Sequence, residues 1–202
     1  MSTLAARFVL FLVLVSWAST VSAQSFSGPY VGVEGGVQHI IGGSLVDGID
    51  TLQDGSRAVV SGIAGWRVQT RKIVFGGELG RGWTDGDLQL AGQTLAVDYH
   101  NSSQWHWGLH GGYAIADRTL IFGYLSEVTR AFDVTITQSG QTTTQQDEQG
   151  MLRFGAGVEQ RLGSPLHLRV TAGTSRADFG GRATNIDVRR RFEIAAGIVF
   201  QF

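Results

Sequence analysis

The sequence predicts an all-β protein: an eight-stranded antiparallel up-and-down transmembrane β-barrel with short turns at one end and long connections at the other. Three observations carry this reading. Apolar residues recur with period two over segments long enough to cross a bilayer, tight and long connections alternate along the chain, and glycine is over-represented. The 202 residues include 29 Gly, 2 Pro and no Cys, with 16 Lys plus Arg against 17 Asp plus Glu. Hydrophobic residues make up 43% and the mean hydropathy is +0.04. Glycine thus stands at about twice its ordinary share of roughly 7%, without the Gly-X-Y period of collagen. Having no cysteine excludes a disulfide framework, a thiolate nucleophile and cysteine-ligated zinc or iron–sulfur sites. The formal net charge of −1 provides no basic field for a nucleic-acid partner. The length suits one domain with a real core.

The chain begins with Arg7 ahead of an apolar run from Phe8 to Ala18, followed by Val21-Ser22-Ala23, small residues where a signal peptidase reads. Residues 1–23 are therefore read as a secretory signal peptide cleaved before Gln24, and residues 24–202 as the barrel domain. An uncleaved anchor helix is the alternative, but spanning a bilayer takes about 20 apolar residues. No later stretch is long enough for a membrane helix, so the exported chain is either soluble or crosses a membrane as strands.

The strands follow in order. The first is read at 29–39 (PYVGVEGGVQH), the second at 57–68 (RAVVSGIAGWRV) and the third at 71–83 (RKIVFGGELGRGW). The fourth starts at Gln104, with Trp105, Trp107, Leu109, Tyr113 and Ile115 on one face and His106, Gly108, His110, Gly112 and Ala114 on the other. The fifth to seventh are read at 119–132, 150–162 and 165–178. The last, RRRFEIAAGIVFQF, lines Phe192, Ile194, Ala196, Ile198, Phe200 and Phe202 along one side and Arg191, Glu193, Ala195, Gly197, Val199 and Gln201 along the other. Tight turns fall near Gln69-Thr70, Ala116-Asp117-Arg118 and Gly163-Ser164. Long polar connections occupy about 40–56, 84–103 and 133–149, with a shorter one near 179–187. Short periplasmic turns, long extracellular loops and strands of about 9–11 residues are the pattern of an outer-membrane barrel, and an even strand count leaves both ends in the periplasm.

In lipid the exterior must be apolar while the interior tolerates charge. Following the alternation places Glu34, Glu78, Glu127, Glu159 and Glu193 inward with Arg67, Arg153, Arg169, Arg191, His106, His110 and His167. Eight strands enclose a lumen just wide enough to be filled by side chains, so these charges are expected to pair as a plug. Aromatic girdles are expected from Trp83, Trp105, Trp107, Phe132 and Phe179 at the outer ends. Tyr30, Trp66, Tyr113, Tyr124, Phe200 and Phe202 are assigned to the periplasmic ends or the lipid face. Glycines such as Gly35-Gly36, Gly76-Gly77 and Gly111-Gly112 are expected within strands, and Gly42-Gly43 and Gly180-Gly181 in outer loops. An exported lipocalin-like barrel is the soluble rival; it would bury its apolar face and expose its charges.

The stretches GPYVGVEGG, FGGELGRGW, LHGGYAIADRTLIFGYLSEVTRAF, FGAGVEQRL and FEIAAGIVFQF resemble the small outer-membrane β-barrel proteins of Gram-negative bacteria. The likeness lies near the opacity-like adhesins, the membrane domain of outer-membrane protein A and the immunogenic outer-membrane proteins of alphaproteobacteria, and it covers residues 26–202. HLRVTAGTSRADFG departs from the tyrosine-rich pattern common in the immunogenic group. The resemblance implies residence in the bacterial outer membrane among its lipids and lipopolysaccharide. It also implies that Phe202, with Phe200 as its neighbour, belongs to a C-terminal segment recognised by the outer-membrane assembly machinery.

Polar loops on a rigid scaffold suit surface recognition. The expected function is a monomeric, non-enzymatic barrel supporting envelope integrity or, adhesin-like, presenting its loops to a host or other extracellular ligand. A narrow porin-like channel for small solutes is one alternative and a lipid A-modifying enzyme another. For the enzyme, Ser102, Ser103, His106 and His110 lie near one strand end, with Glu127 or Glu159 as carboxylates to orient a base. The compact His-x-Ser pair with a nearby Glu that the deacylases carry is absent. His106 and His110 would lie about 13 Å apart in a strand, at roughly 3.3 Å per residue, and cannot share an ion. Asp85 and Asp87, or Asp47 and Asp50, are acidic loop pairs able to attract a divalent cation bridging to lipopolysaccharide. Solvated acidic loops are the commoner explanation, so no catalytic residue, cofactor or metal ligand is assigned.

Overall fold

A computed structural model describes residues 26–46, 49–85, 88–91, 95–138, 141–176 and 186–202. The segment read as a signal peptide lies outside these residues, as do Phe179, Gly180-Gly181, Asp47 and Asp87. The described residues form nine strands: β1 (Gly28–Val46), β2 (Ile49–Thr70), β3 (Ile73–Asp85), β4 (Leu88–Ala91), β5 (Leu95–Ala116), β6 (Thr119–Gln138), β7 (Gln141–Gly163), β8 (Leu166–Arg176) and β9 (Ile186–Gln201). Every pairing is antiparallel. Strand β3 pairs with β5 past the four-residue β4, and β1 pairs with β9, closing an eight-stranded barrel with β4 as an appendage of β5. Closure matters energetically, because it leaves no wall strand with a row of unpaired N–H and C=O groups.

One end, the turn end, carries the two-residue connections Arg71-Lys72, Asp117-Arg118 and Ser164-Pro165, together with the first and last strand residues. Arg71 takes a left-handed conformation at φ 57°, as the primed turns common in two-residue hairpins do. At the opposite, hairpin end the expectation of long loops is corrected for the connections at 40–56 and 133–149, while most of that near 179–187 lies outside the described residues. Strands β1 and β2 stay paired as far as Val46↔Ile49, and β6 and β7 as far as Gln138↔Gln141. Gly42-Gly43 therefore lie in β1 rather than in a loop. The stretch read as loop at 133–149 carries β-branched runs at Val134 to Thr137 and Thr142 to Thr144, which favour a pleated ladder. Its cross-strand pair Thr135 and Thr144 sits with hydroxyl oxygens 3.1 Å apart.

The wall sorts side chains as a membrane barrel requires. Leu109, Phe75, Val33, Trp107, Phe154, Val170 and Ile198 are exposed on the outside, whereas Arg67, Gln104, Glu159, His167, Arg169 and Arg191 are buried inside. A lipocalin-like barrel would show the reverse. Trp83, Trp105 and Trp107 face outward towards the hairpin end, and Tyr113, Phe200 and Phe202 outward at the turn end, as the girdle reading requires.

Three inward or outward assignments are corrected. Glu127 is exposed on the outer face, opposite Trp107 of β5 and Leu152 of β7, both also exposed. Tyr30 is buried in the lumen, and Tyr124 points inward, half-buried. In β6 both faces are apolar near the turn end. Leu120 and Phe122 fill the interior with Phe26, Val74 and Ala114, with Tyr124 packed against them, and this fixes the parity that sends Glu127 out.

Inward glycines make room for this filling. A Cβ at Gly65 would overlap the Tyr30 phenol and one at Gly173 the Tyr124 hydroxyl, whereas one at outward-facing Gly62 would meet nothing.

Candidate functional site

The lumen is filled in three layers. At the turn end, Phe26 closes the base with its ring edge-on to His167, centroids 5.5 Å apart, and the apolar side chains of β3, β5 and β6 pack beside it. Its backbone N–H donates to the Gln69 side chain at 3.1 Å. This floor lies at the base of the first strand, ahead of the segment where period two begins, and sequence reasoning missed it.

Above the floor sits an ion-paired layer drawn from strands that are not neighbours. Arg67 of β2 donates from Nη1 to Glu159 Oε2 of β7 at 2.8 Å, and from Nη2 to the Gln201 amide oxygen of β9. Arg169 of β8 donates from Nε to the same Glu159 oxygen at 3.1 Å, and from Nη1 to Glu78 at 2.5 Å and Glu34 at 3.3 Å. His167 Nδ1 lies 2.7 Å from the other Glu159 oxygen. Tyr30 donates its hydroxyl to Glu78 at 2.8 Å, and its ring lies beneath both guanidinium groups, 4.4 Å from Arg67 and 5.2 Å from Arg169. These arginines thus combine planar hydrogen bonding with aromatic stacking. Every carboxylate of the layer has a cationic partner, which is what makes charge tolerable in a dry interior.

Towards the hairpin end, Arg153 donates to Ser126 and to Glu193, both at 3.1 Å, and Gln38 donates to the other Glu193 oxygen at 2.7 Å. Beyond them Arg130 of β6 and Arg191 of β9 turn inward against Gln38, Gln104 and Met151. Arg130, Gln38 and Gln104 were not singled out from the sequence. Arg130 follows from the same β6 parity that sends Glu127 out, and Gln38 shares the parity of Glu34.

The expected inward set is otherwise present: Glu34, Glu78, Glu159, Glu193, Arg67, Arg153, Arg169, Arg191, His106, His110 and His167. The sketched catalytic grouping is not assembled. Glu127 lies outside the wall, Glu159 is committed to His167 and the two arginines, and the carboxylate beside His106 is Glu78, 3.5 Å from Nε2. Ser103 pairs across the wall with Trp83 and Ala131, and the side chain of Ser102 lies outside the described set. Among the described residues no group of three or more His, Cys, Asp or Glu is arranged to hold a metal ion. Asp50 and Asp85 are described in backbone only. The cavity between Glu78, His106, Tyr124, Arg153 and Glu193 measures about 30 Å³. It has room for roughly two water molecules.

A closed eight-stranded wall, an apolar exterior and a plugged polar lumen define a small β-barrel of the membrane-spanning type. No protein-family model matches the chain, and no curated protein does. Solved structures do. A major outer membrane protein from Thermus thermophilus superimposes with a TM-score of 0.51 at 13% identity, covering 86% of this chain and 99% of that one. Ail, the attachment invasion locus protein of Yersinia pestis, gives 0.48 at 12% identity, covering 87% and 99%. Neisserial surface protein A gives 0.45 at 13% identity, covering 87% and 98%. At such identities the likeness concerns the fold.

Proposed function

We propose that this chain is a bacterial outer-membrane barrel with no chemistry of its own, supporting the envelope and presenting its hairpin end as an adhesin-like surface. The observation that carries the reading is the ion-paired lumen inside an apolar wall. Glu34, Glu78 and Glu159 are tied to Arg67 and Arg169 across the barrel, which suits a rigid scaffold in lipid rather than a wet conduit. In this reading residues 1–23 are removed on export, and the monomer sits among outer-membrane lipids and lipopolysaccharide. Its C-terminal segment, β9 with Phe202 just beyond it and 70% exposed, is the part the assembly machinery receives.

The test combines three measurements on the full-length protein. Fractionation should recover it with outer membranes, and unboiled samples in detergent should migrate differently from boiled ones. Reconstitution into planar bilayers should give no conductance above bare lipid. Recovery as a detergent-free soluble protein would overturn the membrane reading. Discrete single-channel steps would replace the scaffold with a pore, and an acyl chain gained or lost from lipid A in expressing cells would replace it with an enzyme.

A further inference from the structure

The two halves of the lumen treat arginine differently. In the ion-paired layer Arg67 and Arg169 face carboxylates directly. At the hairpin end Arg130 and Arg191 are as deeply enclosed, 6% and 3% exposed, yet their described partners are neutral. Arg130 Nη2 donates to the amide oxygens of Gln38 at 3.0 Å and Gln104 at 2.9 Å. Arg191 Nη2 reaches the same Gln104 oxygen at 3.5 Å, and among the described residues its Nη1 meets the Met151 sulfur at 4.0 Å, a weak acceptor. The Nε–H of each guanidinium is buried with no hydrogen-bond partner among the described residues. Two cations therefore converge on one amide oxygen, each with its Nε edge unmatched among the described residues; Arg67 shares that edge but has Glu159 as its counter-charge.

Among the described residues no nearby carboxylate is free to neutralise them. Glu193, the one within electrostatic range, already accepts from Arg153 and Gln38, while Arg57 and Arg153 add to the positive field felt by Arg191. Like charges held this close in a poorly solvated interior repel strongly, and buried charges persist where they are paired. Guanidinium forks are shaped for bidentate contact with planar or tetrahedral oxyanions. The side-chain amides of Gln38 and Gln104 each offer two N–H donors on rotation.

We propose that the hairpin end of the lumen is an oxyanion site, in which a small free anion of the phosphate or sulfate class sits between Arg130 and Arg191. It accepts from the Nε and Nη edges of both, and Gln104 turns its amide to donate. The site supplies from solution the counter-charge that Glu159 supplies from the chain in the layer below. It does not depend on the scaffold role, since a pore or an enzyme built on this wall would contain the same pair.

The experiment uses the full-length mature barrel refolded in a maltoside detergent, whose headgroup carries no phosphate. Inorganic phosphate is titrated at constant ionic strength, with sodium chloride as the balancing salt. The Arg130 and Arg191 Nε–H resonances are followed by NMR, and resistance to thermal unfolding is read by gel mobility. Saturable shifts of both resonances and a rise in unfolding temperature are expected. R130Q should weaken phosphate binding at least tenfold. Q104E, which places a carboxylate between the two guanidiniums, should abolish phosphate binding and raise stability without any anion. If R130Q fails to fold, the wild-type titration and Q104E still decide. Shifts that do not saturate, or that are equal in wild type and Q104E, would overturn the proposal, as would a Q104E barrel less stable than its parent.

Discussion

Replacing Glu159 with glutamine changes one oxygen of a fully enclosed carboxylate to an amide nitrogen and leaves no cavity, so its cost isolates charge from packing. Glu159 accepts from Arg67 at 2.8 Å, Arg169 at 3.1 Å and His167 at 2.7 Å. A glutamine can keep its carbonyl oxygen towards the two arginines and turn its NH₂ to His167, whose Nδ1 accepts after a change of tautomer. The hydrogen-bond count survives; the charge does not. Arg169 retains Glu78 and Glu34, but Arg67 is left with the Gln201 amide and the Tyr30 ring. Stranding one member of a buried pair costs about 3–5 kcal/mol. At 1.4 kcal/mol per decade, that is roughly a hundred- to several-thousand-fold in the folding equilibrium. Urea titration of the barrel refolded into phospholipid vesicles measures it. The reporters are gel mobility and the fluorescence of Trp66, Trp83, Trp105 and Trp107, all on the outer wall. The midpoint should fall with the slope unchanged. Adding Arg67→Met should recover most of the loss, because removing both charges removes the orphan. A single variant within about 0.5 kcal/mol of the parent, inside ordinary surface scatter, would refute the reasoning, and so would a double variant no better than the single.

Three further outcomes follow from the same wall. Glu127→Leu should leave stability unchanged or raise it by up to about 1 kcal/mol, as expected for removing a charge from the lipid face near the interface; a loss of several kcal/mol in the urea titration would return this residue to the lumen. Gly173→Ala should destabilise by about 1–3 kcal/mol through overpacking against Tyr124. Tyr124→Phe should relieve part of that, while Gly62→Ala, facing open space, should be silent in the same assay. Tyr30→Phe removes a charge-assisted bond to Glu78 and should cost about 1.5–3 kcal/mol, read as a lower thermal transition of the unboiled band.

The wall was legible in the sequence because period two survives wherever the two faces differ in chemistry. Strands β5 and β9 are the clearest cases, with Trp105, Trp107 and Leu109 set against His106 and His110, and Phe192 and Ile194 against Arg191 and Glu193. Tyr30 was readable by the same rule, since it shares the parity of Glu34 four residues on. Strand β6 was not. Leu120, Phe122 and Tyr124 are as apolar as Ile121 and Leu125, so only the packing of the first three against Phe26 fixes which set faces in. The pairing partners were beyond reach for another reason. Arg67 and Glu159, or Arg130 and Gln38, each stand 92 residues apart on non-adjacent strands, and no local pattern encodes contact across a lumen. The paired hairpin of β6 and β7 was hidden by its composition, where threonine and glutamine read as loop although the β-branched residues Val134 to Thr137 and Thr142 to Thr144 favour a ladder.

The way the lumen network spans the barrel bears on how such a chain can enter a membrane at all. Arg67 belongs to the second strand, yet its partners are Glu159 of the seventh and Gln201 of the ninth. The seam is sealed where the N–H of Phe202 donates to the carbonyl of Pro29 at 2.9 Å. A sheet inserted strand by strand would leave Arg67 without Glu159 until the seventh strand arrived and Glu34 and Glu78 without Arg169 until the eighth, and unpaired charge at that depth is expensive. The same pairing that fills the lumen therefore sets an order: entry of a sheet whose seventh and eighth strands already face the second and third costs less than entry of the early strands alone, and a misregistered sheet carries the same penalty.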